Sequence, residues 1–488
     1  MQSRESLNDP HSHEQAGITR ENLPTSMRYA LSSVPAVEAS ASLGRFDASN
    51  GVSFDPTGSN IVRLRISSDA FLQTSKHYLF FSLTTAGHAG QVDGDAGSII
   101  ERMSIEGPGG VQLENIDRYA VWNGIKRNWA SEDRDIMKAS GQSGGAAKQS
   151  ELSLGAFAVA GANPTAAEVV TFLGACNGKL QDVALSNLGD ALTVGESKDF
   201  CVQLNSGFLK NTHEKALPAG MGSFEIVLRL KASHGSHVGN GGANHAYTVS
   251  NPRLYCPIYR IENGSVMDSY RSMIASQGVS WVGHTVKTYI NSMPDTANKH
   301  VFQINDRSLS CLALITALRD NDADTARLTY SNTATKVFFT GAGHVNQYVA
   351  RINGQQYPES EITMSTDENG LNCGRAYEEA AKSLSYNGEK YAHCNVTLDQ
   401  FKSGVSAWTS VVNTGAISSG KGLLCVDLKK FDSSELRMKG LNTAVSSAPS
   451  TLEINMSAAP GSIIDVSTFA LVEAVYVMRP DGSMAVVQ

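Results

Sequence analysis

The sequence predicts an all-β chain in which one antiparallel sandwich is built twice, with a few short helices as decoration. Three observations predict it. Apolar residues recur at a period of two in segment after segment. Gly- and Ser/Asn-rich connections join these segments with no regular strand-then-helix alternation, which disfavours Rossmann and barrel architectures. Three pairs of short segments also match, in the same order, across the two halves. At 488 residues the chain exceeds the roughly 250–300 residues at which one core stops growing, so two units are also expected from size alone.

The elements follow in order. Residues 1–35 mix Ser, Asn, His, Pro and both charge signs without periodicity and read as a flexible arm. At 60–66 (NIVRLRI), Val62, Leu64 and Ile66 alternate with Ile61, Arg63 and Arg65, the pattern of a half-buried strand; 77–83 (HYLFFSL) is a buried one. Gly107-Pro108-Gly109-Gly110 suits a tight turn between strands. Ile116, Tyr119, Ala120 and Asn123 fall at helical spacing, predicting a helix over 115–126. The Ala/Gly-rich segment 141–178 carries no strand signal and reads as a long surface loop or an elaborated tower.

The clearest strand is 224–230, with Phe224, Ile226, Leu228 and Leu230 on one face and Glu225, Val227 and Arg229 on the other. Further strands are expected at 247–261, 286–290, 301–304, 337–340, 423–428, 451–456 and 469–478. Met267, Tyr270 and Ile274 predict a helix near 263–278; Ala376, Tyr377, Ala380, Ala381 and Leu384 predict another over 375–384.

The internal matches lie near half the chain apart. FCVQL at 200–204 pairs with LCVDL at 424–428, and Phe224-Glu225-Ile226 pairs with Leu452-Glu453-Ile454, each Glu taking the outward place between two inward apolar residues. The runs 251–261 (NPRLYCPIYRI) and 471–480 (LVEAVYVMRP) close the halves, and each half carries a helix upstream. A duplicated sandwich with its boundary near 262–278 accounts for all of these.

Chemistry-bearing patterns are weak. Cys176, Cys201, Cys256, Cys311, Cys373, Cys394 and Cys425 are odd in number and contain no CxxC pair, which argues against a disulfide framework or zinc cluster and suits a reducing compartment. Cys201, Cys256 and Cys425, lying in strand-like runs, are expected in the core. Asp320, Asp322 and Asp324 alternate as calcium ligands do, but the sixth loop position is Thr325 and the twelfth Ser331, so a solvated loop is expected. His234, His237 and His245 sit in a Gly-rich loop without the spacing of a metal triad. No GxSxG elbow, phosphate-binding loop, HExxH or dinucleotide fingerprint occurs, and Gly341-Ala342-Gly343 lacks a third glycine. Glu132-Asp133 and Glu378-Glu379 are sequence neighbours that point apart. Trp122 and Trp129, beside Lys126 and Arg127, are expected to be core side chains beneath a helix rather than a base-stacking patch. No catalytic, cofactor-binding or metal site is therefore assigned, and an enzyme is not expected.

Forty basic against 47 acidic residues give a net charge of -7, which excludes bulk nucleic-acid binding by phosphate neutralisation. No run of 18 apolar residues occurs, and the first 30 residues have no apolar core of a signal peptide, so neither a membrane span nor a secretion signal is expected.

The order of elements resembles the double jelly-roll major capsid proteins of tailless icosahedral double-stranded DNA viruses, particularly those of virophages, Polinton-like viruses and adintoviruses. The resemblance spans most of the chain. It runs from 98–105 through Leu113-Glu114 and Ile116 to the Tyr119 helix. In the second half it covers Ile352-Asn353-Gly354, Tyr357-Pro358, the helix at 375–384, Val426-Asp427-Leu428 with Phe431-Asp432, Gly440-Leu441-Asn442-Thr443 and Leu452-Glu453-Ile454. It implies two consecutive eight-stranded jelly rolls, divided as an arm at 1–35, a first roll at 36–262, a linker helix at 263–278 and a second roll at 279–488.

The function it implies is assembly: a pseudo-hexameric homotrimer tiling the facets of a capsid in the virion. The expected partners are the chain itself, neighbouring trimers, and penton and minor capsid proteins, the base of the shell facing either minor capsid proteins or an internal membrane, with no sequence-specific nucleic acid and no cofactor. The competing class is a secreted or cytosolic carbohydrate-binding jelly roll, which needs exposed aromatic platforms, and a cell-surface adhesion module is a third. Both fit poorly with four Trp and no secretion signal.

Overall fold

The computed structural model describes residues 39–86, 90–93, 96–130, 188–192, 195–210, 216–231, 246–320, 337–339, 343–364, 373–384, 396, 401, 422–430, 438–445, 449–461 and 463–488. Sixteen principal strands carry the fold. The first eight are β1 (Ala39–Asp47), β2 (Ile61–Ser67), β3 (Tyr78–Ala86), β4 (Ile100–Glu106), β5 (Gln112–Asp117), β6 (Ser197–Val202), β7 (Ser223–Leu230) and β8 (Ala246–Ile261). The second eight are β9 (Val279–Met293), β10 (Lys299–Ile304), β11 (Cys311–Asp320), β12 (Gly343–Ile352), β13 (Gln355–Thr363), β14 (Leu424–Asp427), β15 (Ser450–Met456) and β16 (Ile464–Met478).

β1–β8 form two antiparallel sheets in the orders β1-β8-β3-β6 and β2-β7-β4-β5. β9–β16 repeat both orders: β9-β16-β11-β14 is one sheet, and in the other β10, β15 and β12 pair in turn, with β13 on β12. Each set is a jelly roll, so the chain is a double jelly roll. Short strands extend the sheets, among them Met484–Val487 on β16. The three matched sequence pairs fall on corresponding strands, β6 with β14, β7 with β15 and β8 with β16. Their outward glutamates are both held by an arginine: Glu225 by Arg63 at 3.0 Å and Glu453 by Arg351 at 2.6 Å.

Alternation explains the sandwich faces. β2 buries Val62, Leu64 and Ile66 and exposes its other residues, and β7 buries Phe224, Ile226, Leu228 and Leu230 against the opposing sheet. At about 1.5–3 kcal/mol per buried large apolar side chain, these inward rows hold the sheets together. β11 and the N-terminal part of β16 do not alternate, because both faces of their sheet are covered. Helix α1 (Tyr119–Ala130) lies between β5 and β6, and helix α3 (Gly374–Leu384) between β13 and β14. Helix α2 (Gly264–Gln277) links the rolls. Asn263 caps its N-terminus by accepting the Val266 N–H, and Gly278 ends it at φ +70, donating its N–H to the Ile274 carbonyl. A Cβ at Gly278 would stand 2.4 Å from the Met478 carbonyl oxygen, so a side chain there is excluded on two counts.

Three expectations are corrected. Residues 115–117 belong to strand β5, not to a helix, which starts at Tyr119; Ile116 at helical spacing from Tyr119 is an inward strand residue next to the first turn. Cys201 is exposed, whereas Cys256 and Cys425 are buried. The FCV and LCV segments are equivalent, but α3 packs over the outer side of β14, and the outer side of β6 has no such cover among the described residues. Finally, β1, β11, β12 and β13 were not expected from alternation; β1 consists largely of small exposed residues, and β11 is apolar from Cys311 to Leu318 apart from Thr316.

Candidate assembly interface between the two rolls

The first roll presents β5, the edge of its sheet, to β9, the edge of a sheet in the second roll. An edge strand has unpaired N–H groups, and here they are met by side chains instead of a ladder. Glu114, on β5 and 2% exposed, points its carboxylate into the junction. It accepts the Val286 N–H of β9 at 3.1 Å, the Gly207 N–H at 3.0 Å, the Phe208 N–H at 3.4 Å and the Ser206 hydroxyl. Burial raises its pKa from 4.5 to about 7, with the four donors opposing the rise. Desolvating a carboxylate costs several kcal/mol, and four donors at about 1.5–3 kcal/mol each offset that, so the arrangement fixes geometry more than it adds stability.

The loop after β6 completes the junction by coming within contact of β9. A Cβ on Gly207 would stand 2.5 Å from the His284 carbonyl oxygen, so only glycine allows this approach. Phe208 meets Tyr476 of β16 edge-on at 5.0 Å, and the Tyr476 hydroxyl donates to the His284 carbonyl at 3.1 Å. Thr288 donates to the Asp117 carbonyl at 3.2 Å. Asp465 of β16 pairs with Arg319 at 2.7 Å within its own roll and with Arg118 at 3.6 Å across the junction.

Helix α1 supplies the apolar part. Trp122 packs on Phe469 of β16 at 5.3 Å, and its indole N–H donates to the Asn205 carbonyl at 3.0 Å. Lys126 lies over the Trp122 ring at 5.7 Å, and burial holds its pKa well below the ordinary lysine value. Trp129 meets Tyr377 of α3 at 5.9 Å and Phe401 at 5.8 Å, so the two inserted helices touch. Both tryptophans are buried, as expected.

Other buried polar clusters tie loops inside the second roll. Asp306 accepts from Tyr289 at 3.2 Å, Ser308 at 2.5 Å and Thr443 at 2.9 Å, and Glu473 accepts from Ser310 at 2.5 Å and the Lys439 N–H at 2.6 Å. Their donors come from loops and neighbouring strands, which makes them structural ties. Among the described residues no group of three or more His, Cys, Asp or Glu side chains could hold a metal ion, and no helix is long and apolar enough to cross a membrane. Asp322, Asp324 and the side chain of Asp320 lie outside the described residues, as do His234, His237, His245, Glu132, Asp133, Cys176, Cys394, the 1–35 arm and segment 141–178. Glu114 was visible in the sequence only as part of the family resemblance, because its partners at 206–208 and 286 are remote from it along the chain.

No protein family and no curated protein matches the chain in sequence. Solved structures match it in fold. VP54 of PBCV-1, fitted into a cryo-EM reconstruction of the virophage Sputnik, is 10% identical with a TM-score of 0.55, covering 94% of this chain and 99% of its own. A chain of the Sputnik virophage structure solved by cryo-EM is 14% identical with a TM-score of 0.55 over 96% and 92%. The Faustovirus major capsid protein is 9% identical with a TM-score of 0.53 over 95% and 96%. The fold they share with this chain extends through both rolls.

Proposed function

We propose that this chain is a major capsid protein that assembles as a pseudo-hexameric homotrimer and tiles the facets of an icosahedral virus capsid, its place in the cell being the virion. The observation carrying the reading is the repeated strand order of two complete jelly rolls, locked edge to edge, together with a fold likeness to capsid proteins over nearly the whole chain. In this reading the chain divides into an arm at 1–35, a first roll at 36–262, a linker helix at 263–278 and a second roll at 279–488. Its partners are copies of itself, neighbouring trimers, and penton and minor capsid proteins, the base of the shell facing either minor capsid proteins or an internal membrane; neither catalysis nor sequence-specific nucleic-acid binding is part of it. Against the carbohydrate-binding alternative, the three tryptophans among the described residues, Trp122, Trp129 and Trp281, are all buried and offer no stacking surface.

Light scattering on the purified protein tests the proposal. A particle of three times 52.0 kDa, and hexagonal plates or shells by electron microscopy, are expected; a 52.0 kDa species at every concentration overturns it.

A further inference from the structure

Helix α2 is 14 residues long, yet none of its residues is buried. Its large apolar residues, Val266, Met267, Tyr270, Met273 and Ile274, fall on one stripe of the helix. The first roll uses one side of that stripe: Tyr270 lies on Phe71 at 5.0 Å, and Ile274 packs against the core. Val266 and Met273, seven residues apart, form the other side and are 39% and 44% exposed. A helix in a folded protein draws most of its stability from packing its apolar face, and here that face is only half covered among the described residues.

The chain brings its own occupant to this place. β1 begins at Ala39, which pairs with Ile261, the last residue of β8, and α2 starts three residues beyond Ile261. The segment that precedes Ala39 therefore joins the sheet where β8 runs into α2. Between Glu21 and Glu38 that segment carries Leu23, Met27, Tyr29, Leu31, Val34 and Val37, and Arg28 is its only charged residue. Its length suffices: α2 is about 21 Å long at 1.5 Å per residue, and the 16 residues from Leu23 to Glu38 reach about 50 Å when extended. On so short a tether the segment meets α2 at a roughly millimolar effective concentration, which an untethered partner rarely matches. A lipid surface is the poorer fit, because a helix lying on one presents several cations. The one cation of α2, Arg271, is paired with Asp268 at 3.6 Å.

We infer that residues 23–37 dock on α2 of their own chain and cover the side of the helix formed by Val266 and Met273. The helix that links the two rolls thereby also anchors the start of the chain. The contact lies within one chain and stands whether or not that chain trimerises.

The test is limited trypsin digestion of the full-length protein, read by mass spectrometry. Cleavage after Arg28 is expected to be about tenfold or more faster in the double variant Val266→Asp with Met273→Asp than in the wild type, while cleavage after Arg4 and Arg20 keeps its rate. Both substituted side chains are exposed, and circular dichroism melts check that the variant is folded. If it is not, a photoreactive benzoylphenylalanine in place of Met273 decides, in a mixture of nitrogen-15-labelled and unlabelled chains assembled together. Crosslinks from position 273 to residues 23–37 are expected within chains of one label. Crosslinks joining differently labelled chains assign the face to a second copy and overturn the inference. Equal cleavage after Arg28 in wild type and variant overturns it as well, and flotation of the wild type on phosphatidylserine–phosphatidylcholine vesicles that the variant loses would then give the face to a membrane.

Discussion

The carboxylate of Glu114 in the first roll accepts the backbone N–H of Val286 in the second at 3.1 Å, and that hydrogen bond joins two sheet edges that otherwise have no ladder between them. Three further donors from residues 206–208 converge on the same carboxylate, so one side chain holds a strand, a loop and a neighbouring roll. Truncating it strands all four. Glu114→Ala is expected to lower unfolding stability by about 3–5 kcal/mol, the cost of leaving buried donors unpaired. Urea titration followed by tryptophan fluorescence measures it, with Asp55→Ala, an exposed turn acceptor, expected to change stability by about 1 kcal/mol or less. A loss at Glu114 no larger than that at Asp55 would remove the junction role.

Two buried groups give the protein opposing acid responses. His77 is buried, with Nδ1 donating to the Thr74 carbonyl at 2.5 Å and Nε2 accepting the Leu204 N–H at 3.0 Å, so the neutral ring satisfies both partners. Burial lowers its pKa from 6.5 to about 4. Its contribution is present above pH 6.5 and is lost as pH falls towards 4, at about 1.4 kcal/mol per unit. Glu114, raised from 4.5 to about 7, works the other way: its contribution is fully present below pH 4.5 and is lost as pH rises through 7. Between pH 6.5 and 4.5 the two slopes cancel. Urea midpoints measured across this window are expected to fall on acidification in Glu114→Gln and to rise in His77→Gln. Parallel slopes in the two variants would contradict the assignment.

The sequence was legible where a strand has one wet face. β2 and β7 alternate because one side faces solvent, and the Glu225 and Glu453 repeats could be placed outward for the same reason. β11 was not legible, since apolar residues on both faces leave no period. β1 was missed because Ala, Ser and Gly carry no hydrophobic signal, and its strand character comes entirely from pairing with β8. The jelly-roll order itself entered through the family resemblance, with the β6–β14, β7–β15 and β8–β16 matches as its visible trace. The junction was illegible in principle: Glu114, Gly207, Val286 and Phe469 are brought together only by the way the rolls pack.

Glycine positions separate close approach from ordinary flexibility. At Gly207 a methyl group would meet the backbone of His284, with the carbonyl carbon at 2.7 Å, and backbone cannot rotate away as a side chain can. Gly207→Ala is expected to cost about 2–3 kcal/mol, by pushing the loop off β9. Gly264, in the first turn of α2, has open space around its Cβ position, and Gly264→Ala is expected to be neutral or to stabilise by up to about 1 kcal/mol. Thermal melts of the two variants check the contrast, and equal effects would rule out the close contact as the cause.

Equivalent cysteines should differ in reactivity because of what covers them. Cys201 and Cys425 occupy the same place in the matched β6 and β14 segments, yet only Cys201 is exposed. Cys425 lies between Tyr348, whose hydroxyl donates to its carbonyl at 2.9 Å, and the overlying α3. Burial raises the thiol pKa at both positions, well above the ordinary value at Cys425, so the thiolate available for alkylation there is scarce as well as shielded. Brief iodoacetamide treatment of the dissociated native chain, read by peptide mass spectrometry, is expected to modify Cys201 while Cys256, Cys311, Cys373 and Cys425 react only after denaturation.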